Sequence, residues 1–235
     1  MSLPKYAVSS YETNLISDNK SIEYRPFLVK EEKLLLIALE SNDKKQISKA
    51  ICNVLQNCIL TKNVSINDLP SFDVEYLFLK VREKSSGEIV KVSVVCPVSK
   101  KRFEIDLDLS EIQIEKKADM KNIIEINENL GLVLKYPTFL LVQELVEIGD
   151  KTEKLFKIII ESVDKIYDKT TTYNPKDYTE KEMVEFIESL PQNSLKRMNE
   201  FYDNFPKIVY EKEVTSPFSG KTMKVRLNNF MDFFG

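Results

Sequence analysis

At 235 residues, 43% of them hydrophobic and 30% charged, the chain is long enough for one large domain or two modest ones and has the composition of a folded, soluble protein. A formal charge of -3 argues against a general nucleic-acid binder, and only 5 glycines, none in a G-x-G-x-x-G or Walker arrangement, leave no phosphate-cradling loop. The absence of histidine removes Ser-His-Asp and Cys-His catalysis and the commonest metal ligand.

The N-terminus reads as a hairpin, with Tyr6, Val8, Tyr11, Thr13 and Leu15 alternating before the turn Ser17–Lys20, and Ile22 and Tyr24 returning. Pro26 ends that pairing because it offers no donor to a ladder. Lys30 to Glu40 is expected to be a short helix; Leu34, Leu35, Leu36, Ile37 and Leu39 leave it little polar face, which predicts burial on several sides. Asn42 and Asp43 cap a second helix running to about Cys58, with Ile47, Ala50, Ile51, Val54, Leu55 and Cys58 at spacings of three and four. Cys58 lies on that stripe and is expected in the core, whereas Cys52 falls off it and is expected to be partly exposed.

Phe72 to Arg82 fits a strand and a helix equally well by period; the length of the run favours the helix. After Gly87 the pattern is β. Ile89, Val92, Val94 and Val95 enter a turn that Phe103, Ile105, Leu107 and Leu109 leave, and Ile123–Ile126 with Leu130–Leu134 forms another strand pair. From Thr138 the chain turns helical. Phe139 to Ile148 is ended by Gly149, and Thr152 caps a longer helix whose stripe reaches Ile166 and Tyr167. Lys169 to Tyr178 reads as a loop, Thr179 with Glu182 is a capping-box signature, and a last helix runs from Ser194 to about Asp203. Ile208, Val209 and Tyr210 lead into a final hairpin.

The expected class is therefore α+β with antiparallel hairpins, since no regular βαβ series occurs. The segments divide as 1–86 (hairpin plus a small helical pair), 87–137 (β-hairpin region), 138–205 (helical insertion) and 206–235 (C-terminal hairpin). Cys52, Cys58 and Cys96 lack the spacing of a disulfide framework, and no signal peptide is evident, which fits synthesis in a reducing cytoplasm. The longest wholly apolar run, Leu34 to Leu39, predicts no membrane span.

Two of these hairpins, near 90–110 and 208–228, are close copies about 120 residues apart. Val94-Val95-Cys96-Pro97-Val98-Ser99-Lys100-Lys101 matches Val214-Thr215-Ser216-Pro217-Phe218-Ser219-Gly220-Lys221, each in the shape of a zinc knuckle. A zinc ribbon needs four ligands, and here Ser99, Ser216 and Ser219 stand beside a single Cys96. Neutral Ser is a poor zinc ligand, so no metal is expected. Neither Ser99 nor Ser219 has a base that would make it a nucleophile. The pair suggests two metal-free hairpins that meet in space. The closing Phe230, Met231, Phe233 and Phe234 must dock either on the parent domain or on a partner.

Tyr24-Arg25-Pro26-Phe27-Leu28-Val29-Lys30-Glu31-Glu32-Lys33, continuing through Leu34 to Ser41, resembles the baseplate hub protein family of T4-like tailed bacteriophages. Leu69–Phe78, Leu134-Lys135-Tyr136-Pro137 and the closing Phe233-Phe234 fit the same family, so the resemblance extends from the first strand to the last residues. It implies a structural component of the tail baseplate at its central hub, or a transient factor needed to assemble that hub. It implies no catalytic residue and no cofactor. The partners would be other baseplate or hub proteins, with an oligomer possible within the baseplate. The location would be the virion tail baseplate, and the host cytoplasm during assembly. Contacts in such a protein come from apolar anchors, for which Phe218, Phe230, Phe233 and Phe234 are the candidates. The alternative class, a carboxylate-dependent hydrolase, would need two carboxylates facing each other across a cleft, and no such pair stands out.

Overall fold

The computed structural model describes residues 7–116 and 122–227, which hold seven α-helices and eleven strands in small antiparallel sheets. The expected α+β class is what the chain adopts. Tyr6 and the aromatic residues Phe230, Phe233 and Phe234 lie outside the described residues.

Strand β1 (Tyr11–Asn14) pairs with β2 (Ser21–Tyr24), and Asn19 takes the left-handed backbone that the tight turn between them requires (φ 60°). Helix α1 (Val29–Glu40) follows. It is not buried on several sides: Glu31, Leu35 and Ala38 face inward, while Val29, Leu34, Leu36 and Ile37 are exposed. The cause is local. Arg25, at the end of β2, holds the Glu31 carboxylate at 2.9 Å and draws a charged residue to the inner face, so the apolar residues on the other sides turn to solvent.

Helix α2 (Lys44–Cys58) starts at Asp43, whose carboxylate accepts from the Lys45 and Gln46 amides. It packs against α1 and against α3 (Ser71–Ser86). Cys58 is fully buried, and Cys52, expected to be partly exposed, is buried as well, because α2 is covered on a second side. In α3 the helical period prevails, with Phe72, Val74, Leu77, Phe78 and Val81 inside.

Strands β3 (Ile89–Val95) and β4 (Arg102–Asp108) form a seven-residue antiparallel ladder that alternates strictly between core and solvent. A short β5 (Gln113–Glu115) comes next. Strands β6 (Ile123–Asn127) and β7 (Leu130–Leu134) form the next hairpin, followed by α4 (Phe139–Glu147) and α5 (Lys151–Glu161). Asp150, rather than Thr152, caps α5 by accepting from the Glu153 amide. That helix is also shorter than its apolar stripe suggests. Val163, Ile166 and Tyr167 belong to β8 (Val163–Asp168), which pairs with β7, and β9 (Thr172–Tyr173) completes a sheet in the order β6-β7-β8-β9. Val163 and Ile166, three apart, are both buried in this strand because the register shifts at Asp164, opposite Val133 and Leu134, and pairing with β7 decides the matter. The Thr179–Glu182 capping box opens α6 (Glu180–Glu188), and α7 (Gln192–Asp203) follows. Strands β10 (Lys207–Thr215) and β11 (Thr222–Leu227) close the described chain, in a sheet ordered β11-β10-β5.

These elements sort into two compact units, Met1–Glu115 with Lys207–Gly235, and Lys116–Pro206. In the first, Val90, Val92, Val94, Ile105 and Leu107 share a core with Ile208, Tyr210 and Val225 and with Leu79 of α3. In the second, Ile124, Leu132 and Leu134 of the sheet meet Ile159, Met183, Ile187, Met198 and Phe201 of the helices. No helix among the described residues is long and apolar enough to cross a membrane.

Candidate functional site

The β3–β4 and β10–β11 turns are built alike, bond for bond. In the first, the Cys96 amide donates to the Lys101 carbonyl (2.9 Å) and the Lys100 amide to the Cys96 carbonyl (2.9 Å). In the second, the Ser216 amide donates to the Lys221 carbonyl (3.0 Å) and the Gly220 amide to the Ser216 carbonyl (2.9 Å). The amide three residues on reaches back to the side chain each time: Ser99 N–H to Cys96 Sγ and Ser219 N–H to Ser216 Oγ, both 3.4 Å. Lys100 and Gly220 occupy the left-handed region at φ 60° and 64°. Gly suits that conformation without cost, whereas Lys100 adopts it under strain.

The two turns face each other. Cys96 Sγ and Ser219 Oγ share a hydrogen bond of 3.5 Å, and Cys96 and Ser216 are each only 1% exposed. Hydrogen bonds from the Ser216, Ser219 and Ser99 hydroxyls, with the Ser99 amide, pull the Cys96 thiol down to about 6, against the opposing effect of its burial. Cys52 and Cys58 behave oppositely, burial pushing both thiols up to about 11. The four knuckle positions thus converge on one sulfur held by hydroxyls. Among the described residues, no group of three or more His, Cys, Asp or Glu side chains could hold a metal ion.

Beyond this polar centre the turn tips are apolar. Phe218 is 49% exposed, its ring edge-on to Phe103 at 6.4 Å with the Lys101 ammonium 5.2 Å from its centroid. Val98, at the matching position of the other turn, is 57% exposed, and Val95 is exposed nearby in sequence. Of the four candidate anchors, Phe218 is on this surface; Phe230, Phe233 and Phe234 lie outside the described residues. Val98 was not among the candidates, although its equivalence to Phe218 in the repeated turn is the signal that points to it.

The corner at 24–41 has a different job. The Arg25 amide donates to the Cys58 carbonyl (2.9 Å), the Phe27 amide to the Ser85 hydroxyl (2.7 Å), and the Leu28 amide to Glu31 (2.9 Å), so the corner ties β2 to the ends of α2 and α3. In the second unit, a cavity of about 110 Å³ is lined by Phe156, Ile187, Leu195 and Met198, and Glu188 is the one carboxylate on its wall. That cavity does not present the facing carboxylate pair of a glycan hydrolase.

A family model described as T4 bacteriophage base plate protein matches residues 8–235. No curated protein and no solved structure gives a significant match.

Proposed function

Since the chain belongs to the T4 bacteriophage base plate protein family, and is in that sense a structural protein of the phage tail baseplate, we propose that it acts without catalysis at the central hub, with the paired turn tips as a contact surface. The observation that supports this reading is the paired tips themselves: Phe218 and Val98 stand exposed on two short turns locked together by Cys96, Ser216 and Ser219. An aromatic anchor on a rigid support is the arrangement that concentrates binding energy at protein interfaces. Phe230, Phe233 and Phe234 are proposed as further anchors from sequence alone, and the partners as other baseplate or hub proteins.

The test is made in infected cells and purified particles. Mass spectrometry of virions finds the chain at stoichiometric level for a hub subunit and not for a transient assembly factor. Phe218→Asp, on a surface where the folded state loses little, is expected to lower hub assembly at least tenfold while the purified protein melts within a few degrees of wild type. Normal assembly by that variant would remove the turn tips from the interface.

A further inference from the structure

Helix α1 turns an apolar side to solvent: Val29 is 87%, Leu36 53% and Ile37 54% exposed. At 3.6 residues per turn, Val29, Lys33, Leu36, Ile37 and Glu40 share one side, opposite the buried Glu31, Leu35 and Ala38. Exposed apolar residues grouped in this way mark an interaction surface. The order of charge along the helix identifies what covers it.

Lys33 lies three residues before Leu36, and Glu40 lies three residues after Ile37. Charge is therefore antisymmetric about the midpoint of the Leu36–Ile37 pair. Two copies laid antiparallel, with a two-fold axis through that midpoint, bring Lys33 of each against Glu40 of the other. Leu36 and Ile37 then meet across the axis. A parallel pair would instead set Lys33 against Lys33 and Glu40 against Glu40. Both residues are exposed, and neither forms an ion pair within the chain among the described residues. Self-complementarity about a two-fold axis is the condition for an isologous dimer.

We propose that the outer face of α1 is a homodimer interface, covered by the same face of a second copy of this chain. One helix face lies at the small end of specific interfaces, so the dimer is weak and forms fully only where copies are concentrated, as in an assembling particle. This inference is independent of which tail component the chain contacts.

Sedimentation velocity of the full chain over a wide concentration range tests it. The expected result is a monomer–dimer equilibrium that Ile37→Lys abolishes. Lys33→Glu or Glu40→Lys alone each weakens it about tenfold, because every reversal creates two like-charge contacts in the dimer. The double variant Lys33→Glu/Glu40→Lys restores near-native affinity, since reversing both signs preserves the complementarity. Circular dichroism confirms that each variant stays folded. A monomer at every concentration overturns the proposal. A dimer indifferent to the single reversals, or one that the double variant fails to restore, overturns it equally.

Discussion

Two buried carboxylates show how a single side chain shapes this fold, and they pull the acid limb of stability in opposite directions. Glu31 is pushed up by burial, but hydrogen bonds from Arg25 and the Leu28 amide outweigh that and leave it below its ordinary value of 4.5. Its contribution is therefore complete above the unfolded value and is lost as pH falls through the lower folded one. With the Glu31 side chain 1% exposed and that of Arg25 13%, Arg25→Ala leaves the buried charge only the largely exposed Lys30 at 3.4 Å as an ionic partner and should cost about 3 kcal/mol in urea unfolding at neutral pH. Asp73 is the reverse case. Its Oδ1 accepts from the Ile16 and Ser17 amides, its Oδ2 is buried without a partner, and burial raises it above 3.8. Between 3.8 and the folded value the native state holds more protons than the unfolded chain, so stability falls as pH rises through that window. Asp73→Asn keeps the acceptor and should flatten that slope; an unchanged pH profile would mean that Asp73 ionises as freely in the native state as in the unfolded chain.

At the level of elements, the paired turns resemble a four-ligand metal knuckle in layout, with one thiol, Cys96, and hydroxyls at the other three positions, Ser99, Ser216 and Ser219. Four zinc–thiolate bonds of about 2.3 Å at tetrahedral angles separate the sulfurs by roughly 3.8 Å, close to the 3.5 Å between Cys96 Sγ and Ser219 Oγ. The triple variant Ser99→Cys/Ser216→Cys/Ser219→Cys should therefore bind one Co²⁺ per chain with the visible absorption of a tetrahedral thiolate site. An octahedral spectrum would mean that the four positions do not converge. Strand β7 offers a second check. Gly131 is paired with Tyr167 of β8, and a methyl at Gly131 would run into the Tyr167 ring. Gly131→Ala should destabilise the protein by about 1–3 kcal/mol in thermal or urea melts. These elements also show what a sequence can reveal. Caps such as Asp43 and the Thr179–Glu182 box act within one turn, so their helices could be read locally. The repeated turns were legible for the same reason. The orientation of α1 was not, because a residue six positions earlier, Arg25, decides which face turns inward. Nor was the end of α5, because Val163 to Asp168 becomes a strand only when β7 is beside it.

For the whole molecule, the decisive fact is the order of segments along the chain. The family match runs from 8 to 235 and so covers both units, which makes Lys116–Pro206 part of the family's own chain rather than an appended domain. Its ends leave from β5 and return to β10, and those two strands are paired through Glu115↔Lys207, Ile114↔Ile208 and Gln113↔Val209. The first unit thus closes only after the second has been synthesised. On a ribosome adding about 5–20 residues per second, the first knuckle emerges roughly 6–24 s before the other. Through that interval Cys96 has neither Ser216 nor Ser219 beside it, and Val90, Val92 and Val94 lack Ile208, Tyr210 and Val225. A thiol 1% exposed in the finished protein is open to oxidants and alkylators in the nascent one, so Cys96 should react with them faster during translation than afterwards.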